Sequence, residues 1–234
     1  MALKNPGKII IITGGSGSGK TTAAKILDKQ GFNVIDVDQL ARQLLYPGTK
    51  VWQEILNFFA GVSLKSNYQT GQKVSLQSFK RVNLKPEIEI NQLIDEKGII
   101  KRATLGGLVF SKKSNLNQLN KIMHPPLREL LDKKIKLHFK VNSNALILDM
   151  AVYPAKHFRD LGKLVIWITA SKSIRIERLL FNKKLNLVEA TKRVNSQWSD
   201  EQFRKLAHII VSNDSDLDSF SQKIEELACT KLKC

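Results

Sequence analysis

Lys8 to Thr13 is a β-branched run that ends in Gly-Gly, and apolar residues without polar alternation predict a strand covered on both faces. From Lys20 the spacing changes. Ala23, Ile26 and Leu27 recur on one side of a helix, with Gly31 placed to end it. Asn33 to Asp36 predicts a second short strand, and apolar runs at Ala145 to Leu148, Leu164 to Thr169 and Ile209 to Val211 predict three more. Helical patterns cover Gln39 to Leu45, Val51 to Phe59, Leu116 to Met123, Leu127 to Phe139, Ile174 to Phe181, Val188 to Asn195 and Leu217 to Leu227. Strands separated by helices predict parallel pairing through right-handed crossovers, and so an α/β domain with a three-layer parallel sheet flanked by helices. Ser63 to Lys101 breaks this rhythm with polar stretches such as KSNYQTGQK, and reads as an insertion or a mobile flap.

Composition narrows the class. A chain of 234 residues suits one domain with a small insertion, since domains run to about 250 residues. With 42% hydrophobic and 25% charged residues the chain has ordinary globular usage. No apolar stretch approaches the roughly 18 residues of a membrane span, and Ile9 to Ile12 is too short for a signal-peptide core; a cytoplasmic protein with no membrane partner is expected. The two cysteines, Cys229 and Cys234, fall in the last few residues without metal-ligand companions, so neither a disulfide framework nor a zinc site is indicated. The 38 Lys and Arg against 21 Asp and Glu give a formal charge of +17. A field of that sign attracts phosphates, whether of nucleotides, nucleic acid or a membrane surface, and does not choose among them.

The choice comes from Gly14-Gly15-Ser16-Gly17-Ser18-Gly19-Lys20-Thr21, which fits G-x-x-x-x-G-K-[ST] between a predicted strand and a predicted helix. Small residues let a polyphosphate approach the backbone, where loop amides and the positive end of the following helix surround it. Lys20 is then expected on the β- and γ-oxygens of ATP, and the Thr21 hydroxyl on Mg²⁺. Gly15, Ser16, Gly17, Ser18, Gly19 and Thr22 complete the expected ATP-binding set.

Asp36 and Asp38 end the second strand, the edge of an α/β sheet where ligands bind. From an extended segment they point the same way, either to accept a proton and orient Mg²⁺ or to cap the helix that follows. Asp149 closes another apolar run and stands as a further Mg²⁺-positioning carboxylate or a solvated strand end.

The motif TGGSGSGKT at Thr13 to Thr21 and VIDVDQLAR at Val34 to Arg42 resemble the dephospho-CoA kinase family, whose members phosphorylate the ribose 3′-hydroxyl of dephospho-CoA with ATP. A second block is similar as well, Arg102, Leu105, Gly106, Val109, Phe110, Leu119, Asn120, His124 and Pro125 within Lys101 to Pro125. The resemblance implies Asp38 as general base and Thr13 near the reacting groups. It implies Asp36, Arg42, Arg102 and His124 on the substrate side, Arg178 as a lid cation on the phosphoryl group, and Asn213 near adenine. It also implies a substrate-side helical insertion at about residues 63–139 and a lid at about residues 172–206, the latter holding Arg193 and Gln197. Two departures stand out: Ala151 to Ala155 reads AVYPA without the family's acidic residue, and Asn182 replaces the second lid arginine.

Two other functions compete: a kinase of another small hydroxyl substrate, and a degenerate nucleotide-binding protein acting on nucleic acid. Against the second, a purely cationic binder has no use for the acidic pair, and no aromatic strand platform for bases is evident.

Overall fold

In the computed structural model the described residues are 8–65, 76–83, 85–142, 144–151, 158, 160–162, 164–183, 185–197 and 200–232. β1 (Ile9–Thr13) is buried along its whole length, as its unbroken apolar run requires. It lies at the centre of a parallel sheet whose other strands are β2 (Asn33–Asp36), β5 (Leu146–Asp149), β6 (Leu164–Thr169) and β7 (Ile209–Ser212), in the order β2-β5-β1-β6-β7. Every pairing in this sheet is parallel, so each strand's C-terminal end opens on the same edge. The register places Asp149 opposite Ile12 on one side and Asp36 on the other, which brings two carboxylates to neighbouring strand ends.

The chain divides into two compact units, residues up to Asp38 with those from Lys133 on, and Gln39 to Asp132. The first holds the sheet, with α1 (Lys20–Lys29), α7 (Lys172–Lys183), α8 (Leu187–Asn195), α9 (Asp200–Arg204) and α10 (Leu217–Leu227). Its core joins Ile10, Ile12, Ile147, Ile166 and Ile168 of the strands to Ala23 and Leu27 of α1 and Phe220 and Ile224 of α10. Helix ends are set locally. Asp216 caps α10 by accepting from Ser219 N, and Asn186 and Glu189 form a reciprocal capping box on α8. A smaller cluster, Leu179, Ala190 and Val194, holds α7 to α8.

The second unit is built on α3 (Lys50–Ala60), capped by Thr49, whose hydroxyl accepts from Trp52 N and donates to Leu44 O. Val51, Trp52, Ile55, Leu56 and Phe59 of this helix form its apolar core. Phe79, Leu93, Ile94 and Ile100 are buried in that same cluster. The stretch expected as an insertion or a mobile flap therefore contributes, in its described part, to the core: β3 (Val62–Leu64) pairs with β4 (Phe79–Arg81), α4 (Ile90–Leu93) follows, and Phe79, Leu93, Ile94 and Ile100 point inward while Val82 and Ile99 stay exposed. Residues 66–75 lie outside the described residues. After α5 (Arg102–Ser111) comes α6 (Lys113–Val141), a single helix where two were expected. Pro125 and Pro126 interrupt the sequence pattern but not the helix. Each removes one i→i−4 hydrogen bond and crowds the carbonyl four residues before it, while Ile122, Leu127, Leu131 and Ile135 are buried on both sides of them.

Candidate active site

The loop between β1 and α1 is closed by tertiary contacts. Gly17 and Gly19 have φ of +81° and +96°, left-handed values that glycine adopts without strain. α1 begins with no acidic residue in its first turn and no side-chain cap, so the positive end of the helix is left to a ligand. Ser18 Oγ and Thr13 Oγ1 are buried and have no hydrogen-bond partner among the described residues; hydroxyls of this kind beside the loop fit a polar ligand.

Around the loop stand side chains from distant parts of the first unit. Asn213 Nδ2 donates to Ser18 O at 2.8 Å, and its Oδ1 accepts from Arg178 Nη2 at 3.3 Å. Arg178 Nη1 donates to Gly17 O at 3.4 Å. Arg175 Nε donates to Ser16 O at 3.0 Å, and its Nη2 to Gln197 Oε1 at 2.6 Å. That carboxamide oxygen also accepts from Ser16 N at 2.8 Å, while Ser16 Oγ accepts from Gln197 Nε2 at 2.9 Å and Arg193 Nε at 3.1 Å.

These contacts give the glycines a second reason beyond room for phosphate. A Cβ on Gly15 would stand 2.2 Å from Arg175 Nη2, and one on Gly19 would stand 2.0 Å from Asn213 Nδ2.

Lys20 Nζ donates to Asp149 Oδ1 in an ion pair shielded from solvent. Burial holds the Asp149 carboxyl above the usual aspartate range; Lys20 pulls the other way, and the charges of Asp36 and Asp38 add to the rise. Three acidic side chains and one lysine therefore share an electrostatic neighbourhood at the sheet's C-terminal edge. Asp36 and Asp38 do not both lie on an extended segment. Helix α2 (Val37–Gln43) starts directly after β2, two residues earlier than expected, so Asp36 ends the strand and Asp38 sits in the helix's first turn.

The remaining expected site residues belong to the second unit: Arg42 in α2 and Arg102 at the start of α5, both exposed, and half-buried His124 inside α6. Val152 to Ala155 and the Asn182 side chain lie outside the described residues, so both departures noted in the sequence fall there, apart from Ala151. Sequence reasoning missed Arg175. Its signal was positional: it stands four residues before Leu179 on the buried stripe of α7, where an arginine needs a partner.

A parallel α/β sheet with a G-x-x-x-x-G-K-T loop at its centre and carboxylates at the adjoining strand ends defines a P-loop kinase of small molecules. A family model described as dephospho-CoA kinase matches residues 8–73 and 72–219. The chain belongs to that family, the enzymes that phosphorylate dephospho-CoA with ATP in coenzyme A biosynthesis. A dephospho-CoA kinase of Helicobacter pylori strain J99 is 31% identical over 99% of this chain and 100% of its own length. One of Staphylococcus saprophyticus is 29% identical over 94% of this chain and 92% of its own. The structure of dephospho-CoA kinase from Campylobacter jejuni superposes with a TM-score of 0.61 at 23% identity, covering 96% of this chain and 97% of that one.

Proposed function

We propose that Asp38 is the general base of the reaction and that Lys20 and the amides of Gly15 to Thr22 hold the phosphates of ATP. The acceptor hydroxyl of dephospho-CoA gives its proton to the Asp38 carboxylate as its oxygen bonds to the γ-phosphorus. The bond from that phosphorus to the β–γ bridging oxygen breaks, and ADP leaves with the electron pair. Lys20, and Arg178 from the lid, spread the negative charge that builds on the phosphoryl oxygens. The observation that supports this reading is that Lys20 pairs with Asp149 while Asp36 stands opposite Asp149 in the sheet, with the charges of Asp36 and Asp38 both acting on that carboxyl.

Among the described residues no cluster of three or more His, Cys, Asp or Glu side chains is arranged to hold a metal. The oxygen donors suit Mg²⁺ nevertheless, because that ion keeps several waters and takes one or two carboxylates together with substrate phosphates. Thr21 and Asp149 would hold it, and when bound it neutralises charge on the β- and γ-phosphates. Thr13 and Asp36 line the reacting end, Asn213 supports the nucleotide side, and residues 172–206 act as the lid. Arg42, Arg102 and His124, within a substrate-side insertion at about residues 63–139 and the segment before it, serve the acceptor. No helix among the described residues is long and apolar enough to cross a membrane, and we assign the enzyme to the cytoplasm.

Replacing Asp38 by Asn tests the assignment. Turnover should fall by about 10²–10⁴-fold with ATP affinity nearly unchanged; a collapse of ATP affinity instead would make Asp38 structural. Assaying ATP consumption over a panel of hydroxyl acceptors including dephospho-CoA fixes the acceptor. No consumption with any of them, together with steeply salt-dependent binding to nucleic acid, would overturn the kinase reading.

A further inference from the structure

Three consecutive carbonyls of the loop are taken by side chains more than thirty residues apart from one another at the extremes: Ser16 O by Arg175, Gly17 O by Arg178 and Ser18 O by Asn213. In a trans peptide unit the carbonyl and the N–H point in opposite directions. Pinning Ser16 O and Ser18 O from outside therefore turns the N–H groups of Gly17 and Gly19 to the other side, where such groups form a concavity for an anion, while Ser18 N donates to Gly15 O and closes the turn between them.

Within this set Arg175 makes the most demanding contact. It is buried, at 8% exposure, and its planar fork serves the Ser16 carbonyl and the Gln197 carboxamide at once, which a lysine ammonium cannot do in the same geometry. Through Gln197 it reaches Ser16 a second time, because Gln197 Oε1 accepts from Ser16 N and Gln197 Nε2 donates to Ser16 Oγ. The loop is shaped to receive it. A Cβ on Gly15 would meet its guanidinium at 2.2 Å, and one on Gly17 would meet its backbone oxygen at 2.5 Å.

We propose that Arg175 is a positioning residue for the triphosphate, acting through Ser16: it fixes the orientation of the loop peptides so that their amides are set for phosphate before ATP arrives. The inference rests on the loop's being the ATP site. Preorganised donors bind more tightly than donors that must be ordered on binding, so the loss of Arg175 is read in ATP affinity rather than in the acceptor.

The test compares wild type, Arg175→Met, Arg175→Lys and Lys20→Met by calorimetric titration with ATP and, separately, with dephospho-CoA. Arg175→Met should bind ATP about 10- to 100-fold more weakly, in line with the loss of charge-assisted hydrogen bonds, while dephospho-CoA affinity changes less than about 2-fold. Arg175→Lys should fall between the two, and millimolar guanidinium ion should restore part of the ATP affinity of Arg175→Met. ATP affinity within about 2-fold of wild type in Arg175→Met, or equal losses for both ligands, overturns the proposal. If Arg175→Met does not fold, Arg175→Lys decides, and unchanged ATP affinity there overturns it as well. Lys20→Met reports on the underlying reading: unaltered ATP binding in that variant would mean that the loop is not the ATP site, whatever Arg175 does.

Discussion

The Nζ of Lys20 is paired with Oδ1 of Asp149, linking the first residue of α1 to the last residue of β5. The lysine we propose for the ATP phosphates is thus paired with a carboxylate of a neighbouring strand. In a buried pair each charge solvates the other, and a ligand that takes one partner must compensate the second.

Asp149→Asn should therefore release Lys20 for the nucleotide. Affinity for ATP in the presence of a chelator should rise by about 3- to 10-fold, whereas the gain from adding Mg²⁺ should shrink. Titrations with and without the metal measure both. Equal Mg²⁺ gains in the two proteins would remove Asp149 from the metal's coordination.

The same residue sets a pH dependence. Burial raises the Asp149 pKa in the folded state, so the folded protein holds this proton where the unfolded chain has released it. Its contribution to stability is complete below the ordinary value of 3.8 and is lost as pH rises from there through the raised folded value. Urea midpoints measured from about pH 4 upward should fall more steeply for wild type than for Asp149→Asn. Parallel curves would show an unperturbed carboxyl.

At Gly19, alanine would have to adopt φ of +96° and place its Cβ 2.0 Å from Asn213 Nδ2. Gly19→Ala should cost about 1–3 kcal/mol in thermal or urea unfolding. It should also weaken ATP binding, because Asn213 then leaves Ser18 O.

Thr49→Ala serves as the contrast. It removes the cap of α3 in the second unit and should cost about 1 kcal/mol. Titration should find its ATP affinity equal to that of wild type.

Much of the sheet was legible because its strands are short apolar runs with turn residues at their ends: Asn33–Asp36 and Leu164–Thr169 have the predicted bounds, and the other three differ by a residue or two. The loop was legible because its chemistry is local. What escaped was carried by long-range contact. Arg175 lies 159 residues from Ser16, and although Gln197 was named as a lid residue, nothing near it announces its contacts with Ser16, 181 residues away, or with Arg175. The continuity of α6 escaped for a related reason: a proline pair is a strong local stop signal, and only burial of the helix face on both sides of it overrides that signal. The hairpin of β3 and β4 was hidden because three-residue strands in a polar stretch carry too little periodicity to register.

Among the described residues β2 occupies an edge of the sheet, bonded only to β5, and passes without a loop into the helix that bears Asp38. The proposed proton acceptor thus follows an edge strand, while the proposed nucleotide cradle hangs from the central one. Amide deuterium uptake should be quick along Asn33 to Asp36 and slow along Ile9 to Thr13. An enzyme divided in this way can let its acceptor side breathe during exchange of one substrate for the next without loosening its grip on the other.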